Sequence, residues 1–239
     1  MLVKHYIRNI FCCFLISSAV GCATVQKPIA FDLKPDPSKT IGIVKVAAPE
    51  AAAQYTGSIG LLDLAIISGA NAGLNKHLKT QSFAGDFQKL PQDVTNILKA
   101  KGFKVSLIEQ DIDQKEAAKL GTPSNGAIKY NFSRYKNESG LTHLLILAMP
   151  AVGTTRGYYG PVPLSEPTAQ TVVRALLVDL NTNKLSWYTS ATSTKVIEKP
   201  WDESDKKWPN LTNAVFGTVD EATKLIKAEL ENPQLVTPK

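Results

Sequence analysis

Apolar and polar residues recur along this chain with two different periods, and the switches between them outline its elements. Ile41, Ile43, Val44 and Val46 make a short apolar run that predicts a buried strand over 41–46. The small residues of 47–57, with Pro49 near the start, read as a loop or a short helix. From residue 83 to 101 the period lengthens. Phe87, Leu90, Val94, Ile97 and Leu98 keep i, i+3, i+4 spacing, which predicts an amphipathic helix that starts or kinks at Pro91 and stops at Gly102. Alternation returns in 103–109, predicting a second strand. A strand, a helix and a strand in that order make a βαβ unit with parallel strands.

The same reading continues down the chain. Residues 113–120 read as a short polar helix, 121–126 as a turn cluster, and 128–135 fits neither period. The nearly all-apolar run 141–149 predicts a central strand. Residues 150–167 then form a long connection between Pro150 and Pro167. Runs 169–180 and 184–196 read as a hairpin through Asn181-Thr182-Asn183, with Asn183 suited to the left-handed position. The first arm is apolar on both faces. The second carries Ser and Thr on one face, which places it nearer solvent. Asn210 is placed to cap a final helix to Glu231, with Leu211, Val215, Val219, Ala222, Ile226 and Leu230 on one face. The whole is α/β: a layered sandwich with a mixed sheet and flanking helices, forming a single domain over 40–235.

Residues 58–77 break both periods. Ile59, Leu61, Leu62, Leu64, Ile66 and Ile67 lie among Gly60, Ala65, Gly69, Ala70, Ala72 and Gly73, so the apolar residues wrap a helix on all sides. The favoured reading is a buried helix whose Gly69/Gly73 face lies close to a neighbour. The competing one is a membrane-inserting or oligomerising segment, which Asp63 and the barely sufficient length oppose.

The first residues add an address. Lys4 and Arg8 precede an eleven-residue apolar run, 10–20, which spans about 16 Å as a helix and is too short for a bilayer core of about 30 Å. This is the layout of a signal peptide over 1–21. The run ends Ala19-Val20-Gly21-Cys22, which resembles the lipobox of bacterial lipoproteins; Gly21 and Cys22 match, and Ala19 stands where leucine is usual. The resemblance implies cleavage before Cys22 and covalent diacylglycerol and N-acyl lipid on it. With Ala23 next rather than Asp, it implies anchoring at the periplasmic face of the outer membrane. Residues 22–39, with Pro28, Pro35 and Pro37, then read as a lipidated tether that could span about 50 Å in a polyproline state.

Composition narrows the chemistry. The three cysteines are Cys12, Cys13 and Cys22, so no disulfide, thiol nucleophile or cysteine metal site is expected in the globular part. Of 27 Lys+Arg against 21 Asp+Glu, cleavage would remove Lys4 and Arg8, leaving 25 against 21, or +4. That charge is mild and scattered, and gives no case for nucleic acid.

The stretch Val178-Asp179-Leu180-Asn181-Thr182-Asn183-Lys184-Leu185-Ser186-Trp187 resembles the periplasmic α/β domains of envelope lipoproteins of the curli-secretion and penicillin-binding-protein-activator type. Asn183 replaces the usual glycine. The resemblance implies the fold rather than an activity.

No zinc, nucleophile-elbow or P-loop motif is present, and neither a catalytic residue nor a cofactor is expected. His77 is read as a helix-end cation and His143 as a structural residue of the central strand. Glu109, Asp111 and Asp113 read as a solvated strand end. Two segments look made for contact: Arg156, Tyr158 and Tyr159 in the long connection, and Trp201 in 199–208, where a Trp is also expected to staple the last helix. The Arg156→Ala, Tyr158→Ala pair is expected to lose a partner without lowering thermal stability. The reading is a non-enzymatic, lipid-anchored envelope assembly or accessory factor with an envelope protein partner and a possible homo-oligomeric state. The alternatives are an oligomeric pore component using 58–77 and a periplasmic hydrolase.

Overall fold

The computed structural model describes residues 26–233 apart from 121–125, 127, 129 and 131. The predicted signal peptide, Cys22 and most of the 121–126 turn lie outside the described residues.

The chain builds a seven-stranded mixed sheet whose main path runs β3-β1-β4-β6-β7. The strands are β1 (Thr40–Lys45), β2 (Ala52–Ser58), β3 (Lys104–Leu107), β4 (His143–Tyr159), β5 (Val162–Pro163), β6 (Thr168–Asp179) and β7 (Lys184–Val196). The helices are α1 (Leu61–Ala70), α2 (Ala72–Thr80), α3 (Gly85–Ala100), α4 (Gln114–Leu120), α5 (Ser133–Ser139) and α6 (Pro209–Glu231). The βαβ expectation holds: β1 pairs with β3 in parallel, and α3 crosses between them. The hairpin of β6 and β7 holds too, with Asn183 at φ 56°.

β4 organises the sheet. Its first half pairs in parallel with β1 and its second half with β2, while β6 runs antiparallel along its other side. The apolar run predicts a strand that stops at Met149, because Pro150 lacks an amide proton. The strand instead passes through Pro150 with a register shift between Ala148 and Ala151, where a bulge tolerates the missing donor. The long connection of 150–167 is therefore strand plus a tight hairpin into β5. The expected loop or helix over 47–57 is likewise corrected. Ala52–Ser58 is a strand, docked so closely at Gly153 (φ +135°) that an added Cβ would lie 2.1 Å from the Ala52 carbonyl oxygen.

Two cores flank the sheet. On one face α3 and α6 pack with Ile41, Ile43, Leu145, Leu147, Leu177 and Trp187. Pro91 lies inside α3, buried, without ending it. On the other face Val44, Leu144, Ile146, Leu176 and Val178 pack with Ile112, Ile128 and Phe132. This second cover stops half way up the sheet. Above it β6 alternates between buried and half-buried positions, and Ser190, Thr192, Thr194 and Val196 of β7 are exposed. The apolar-on-both-faces pattern thus marks the half of β6 that is covered twice.

α6 starts differently from expectation. Trp208, in the left-handed region, precedes Pro209, and the Asn210 amide donates to the Pro200 carbonyl rather than capping the helix. Proline at the first helical position suits an amide that would be unpaired anyway. Trp208 stacks at 5.0 Å from the His77 ring, which fulfils the expected stapling. His77 is itself buried, with Nε2 2.8 Å from the Thr212 hydroxyl. Burial, with Lys207 nearby, pushes its pKa down, which disfavours the expected cation.

The tether is shorter than its length suggests. Ile29 forms an antiparallel bridge with Tyr188 of the edge strand β7. Phe31 is 8% exposed and meets the Trp187 and Phe103 rings edge-on at 5.5 and 5.8 Å. Ile29 packs on the face away from α3 and α6, and Phe31 and Leu33 then strap the chain under the helical layer before β1 begins.

Candidate contact surface

The far end of β4 carries the features of interest. Strand alternation puts Arg156 and Tyr158 on the helical side of the sheet and Tyr159 on the other. The Arg156 guanidinium lies 5.8 Å from the Tyr158 ring centroid and 5.1 Å from that of Trp201, within cation–π range of both. Its Nε donates to the Ser165 carbonyl at 2.6 Å. The Trp201 indole donates to Glu166, whose other oxygen meets Lys199 Nζ at 3.1 Å. Hydrogen bonds from Lys199 and then Trp201 lower the Glu166 pKa.

The structure thus brings together Arg156 and Tyr158 of one predicted contact segment with Trp201 of the other, but it buries Tyr158. Tyr158 is 3% exposed and packs edge-on to Tyr55 at 5.7 Å. The Tyr55 hydroxyl accepts from Asn75 Nδ2 at 2.9 Å, and Asn75 Oδ1 accepts from the Ala53 amide at 3.0 Å. Burial raises the Tyr55 pKa. These residues fasten α2 to β2. Tyr55 lies in a segment that reads as a loop or short helix, and Asn75 in a helix whose apolar pattern does not single out its polar residues. Removing Tyr158 must therefore cost stability, contrary to expectation.

Beyond this cluster the surface turns apolar. β4 and β5 meet at a tip formed by Tyr159, Gly160 and Pro161, and Tyr159 and Val162 face outward there with Leu164 beside them, 70, 59 and 68% exposed. α1 starts beside that tip, since Ser58 pairs with Tyr159 and the Asp63 carboxylate lies next to Gly160. Asp63 accepts the Gly60 amide at 2.9 Å and so caps the helix it interrupts.

The buried-helix expectation for 58–77 fails here. The segment forms two helices, and α1 buries only Ile67, leaving Leu61 and Leu62 90 and 75% exposed and Leu64 and Ile66 also exposed. A Cβ at Gly69 would meet nothing within 4 Å, whereas one at Gly73 would lie 3.6 Å from the Trp208 ring, so among the described residues only the Gly73 end of the small face has a neighbour. α2 carries the burial instead, through Leu74 and Leu78.

A cleft of about 340 Å³ lies nearby, floored by Ala51, Phe83, Met149 and Val152 and bordered by the Lys79–Glu50 ion pair at 3.0 Å. Among the described residues no group of three or more His, Cys, Asp or Glu could hold a metal ion. Lys45 pairs with Asp111, as befits a structural strand end. His143 is buried beside the Thr142 hydroxyl.

No protein-family model matches the chain, and no curated protein matches it. Among solved structures the chain is similar to the PelC dodecamer from Paraburkholderia phytofirmans, at 14% identity, 90% of this chain, 99% of that one and TM-score 0.36. It is similar to lipoprotein GNA1162 from Neisseria meningitidis at 13% identity, 77% of this chain, 99% of that one and TM-score 0.32. It is also similar to a minor lipoprotein from Acinetobacter baumannii at 11% identity, 85% of this chain, 100% of that one and TM-score 0.36.

Proposed function

We propose that this chain is a non-enzymatic lipoprotein, anchored through acylated Cys22 at the periplasmic face of the outer membrane, that works by protein contact as an envelope assembly or accessory factor. The observation that carries the contact role is the largely apolar surface made by α1 and the β4–β5 tip, where Asp63 is the one charged side chain of the helix. Folded monomers rarely expose contiguous apolar patches above a few hundred Å², and larger ones mark interaction sites. The anchor draws on Gly21-Cys22 closing the apolar run. Two acyl chains at roughly 0.8 kcal/mol per buried methylene hold a domain firmly on a bilayer. No cofactor beyond the covalent lipid belongs to this reading.

Labelling cells with a palmitate analogue tests the anchor. Cys22→Ala is expected to lose both label and membrane retention, and retention of either overturns it. Fractionation of inner from outer membrane decides the address.

A second reading takes the same helix into a bilayer as part of an oligomeric pore. α1 spans about 15 Å at 1.5 Å per residue, half of a hydrocarbon core. Among the described residues no helix is long and apolar enough to cross a membrane.

A further inference from the structure

The strand registers fix where the anchor and the apolar surface lie relative to each other. Gln26 Oε1 accepts from the Gly126 amide at 2.8 Å, and the Gly126 carbonyl accepts from Leu185. Leu185 pairs with Val178, and Val178 with Leu144, near the start of β4. Gln26 therefore sits low on the sheet. Ile29 and Ile128 pack on the face away from α3 and α6.

Tyr159 lies fifteen residues further along β4 than Leu144, a span of about 45 Å at 3.3 Å per residue with the bulge allowed for. Cys22 is four residues before Gln26 and so reaches at most about 13 Å from it. The anchor point consequently stays about 30 Å short of the apolar tip. α1 also lies on the opposite face from Ile29, whereas Tyr159 at the far tip shares that face. α1 continues the layer of α2, whose Leu74 and Leu78 belong to the α3/α6 core. A plane that touches a convex body at one corner cannot also touch the diagonally opposite corner. The bilayer that holds Cys22 therefore does not cover α1, and the occupant of this surface comes from the aqueous side.

The surface itself says what shape of occupant it takes. Leu61, Leu62, Leu64, Ile66, Tyr159, Val162 and Leu164 are its large exposed side chains. At about 90 Å² each they approach the roughly 800 Å² per partner of a stable interface. Ile67 points inward, so the helical period turns Ala65 and Gly69 outward, with Leu61 on one side and Leu62 and Ile66 on the other. Outward ridges beside an outward groove, with open space at Gly69, form a self-complementary surface.

We propose that α1 and the β4–β5 tip pack against the same surface of a second copy of this chain. The inference rests on the anchored reading above, because acylation of Cys22 is what turns the bilayer away from α1.

Disulfide trapping in intact envelopes tests it on the full chain, since acylation leaves no free thiol. Ala65→Cys and Ser68→Cys, both on exposed positions of α1, are expected to give an oxidised band at twice the monomer mass. Lys99→Cys on α3 is expected to give none. Adding Leu62→Asp is expected to cut the Ala65→Cys band at least tenfold. A band at any other mass would mean a different partner and would overturn the proposal. So would the absence of a doubled band, or protection of the Ala65→Cys thiol from aqueous maleimide without dimer, which would mean lipid. Membrane fractionation of the same cells reads the anchor separately. A soluble Ala65→Cys chain that still forms the doubled band, with the unmodified chain giving none, would fail the anchor and keep the contact.

Discussion

Phe31→Ala examines the docked strap, the feature that would set the position of the proposed anchor. Phe31 is 8% exposed, between the Trp187 and Phe103 rings at 5.5 and 5.8 Å. Truncating a buried Phe costs about 3–5 kcal/mol, and the two edge-on aromatic pairs lie within that figure. The strap is at the border of the core, where a cavity opens to solvent, so the lower value of about 3 kcal/mol applies. For a domain of this size each kcal/mol lowers the midpoint by about 2–4 °C, giving a drop of about 6–12 °C. Urea unfolding followed by tryptophan fluorescence measures it, because Trp187 touches the deleted ring. An unchanged slope with a lower midpoint is expected. A loss below about 1 kcal/mol would show that the strap is not docked. It would return the free linker from the four residues 22–25 to the full run 22–39, and the separation of the proposed anchor from α1 would lose its basis.

Other consequences follow from the same packing. Tyr158→Ala should destabilise by about 3 kcal/mol in thermal unfolding, whereas Tyr159→Ala, two-thirds exposed, should change stability by less than about 0.5 kcal/mol. Trp187→Phe removes the indole that donates to Glu229 Oε1 at 2.9 Å and leaves that buried carboxylate short of a donor, at a cost of about 1–3 kcal/mol in urea. Burial holds the His77 and His143 pKa values down, opposed at His143 by Asp179. Below the ordinary imidazole value of about 6.5 the unfolded chain therefore binds more protons than the folded one. Their contribution is complete above that pH and is lost as the pH falls through the depressed folded values. Melting temperature should decline on acidification from pH 7 to 5, and the His77→Gln, His143→Gln pair should flatten the decline. An equally steep decline in the pair would refute the assignment.

Local pattern alone reached a good part of the fold. The α3 and α6 stripes, the βαβ unit, the central strand and the β6–β7 hairpin were legible because each depends on its own periodicity and turn residues. Arg156 and Trp201 were legible only as residue types suited to contact in two separate segments, and their pairing came from the fold. Tyr55 was not legible, because a strand of Ala, Gln, Thr and Ser becomes a strand only when β4 offers it an edge, and Asn75 of α2 finds its partners only once that strand exists. The Asn210 cap failed because Trp208 and Pro209 set the helix entry first.

The sequence by itself determined the lipobox resemblance ending at Cys22, the absence of cysteine beyond residue 22 and the alternation that makes the sheet, since these reside in residue identity and short-range spacing. Only the tertiary structure decided what the apolar segment does. A helix that is hydrophobic on every side fits a buried position and an exposed contact equally well, and period cannot separate them. Burial is a property of what lies across from a residue. Here the space opposite α1 was left open, while Phe31 and Ile29, which read as linker, were drawn onto the core.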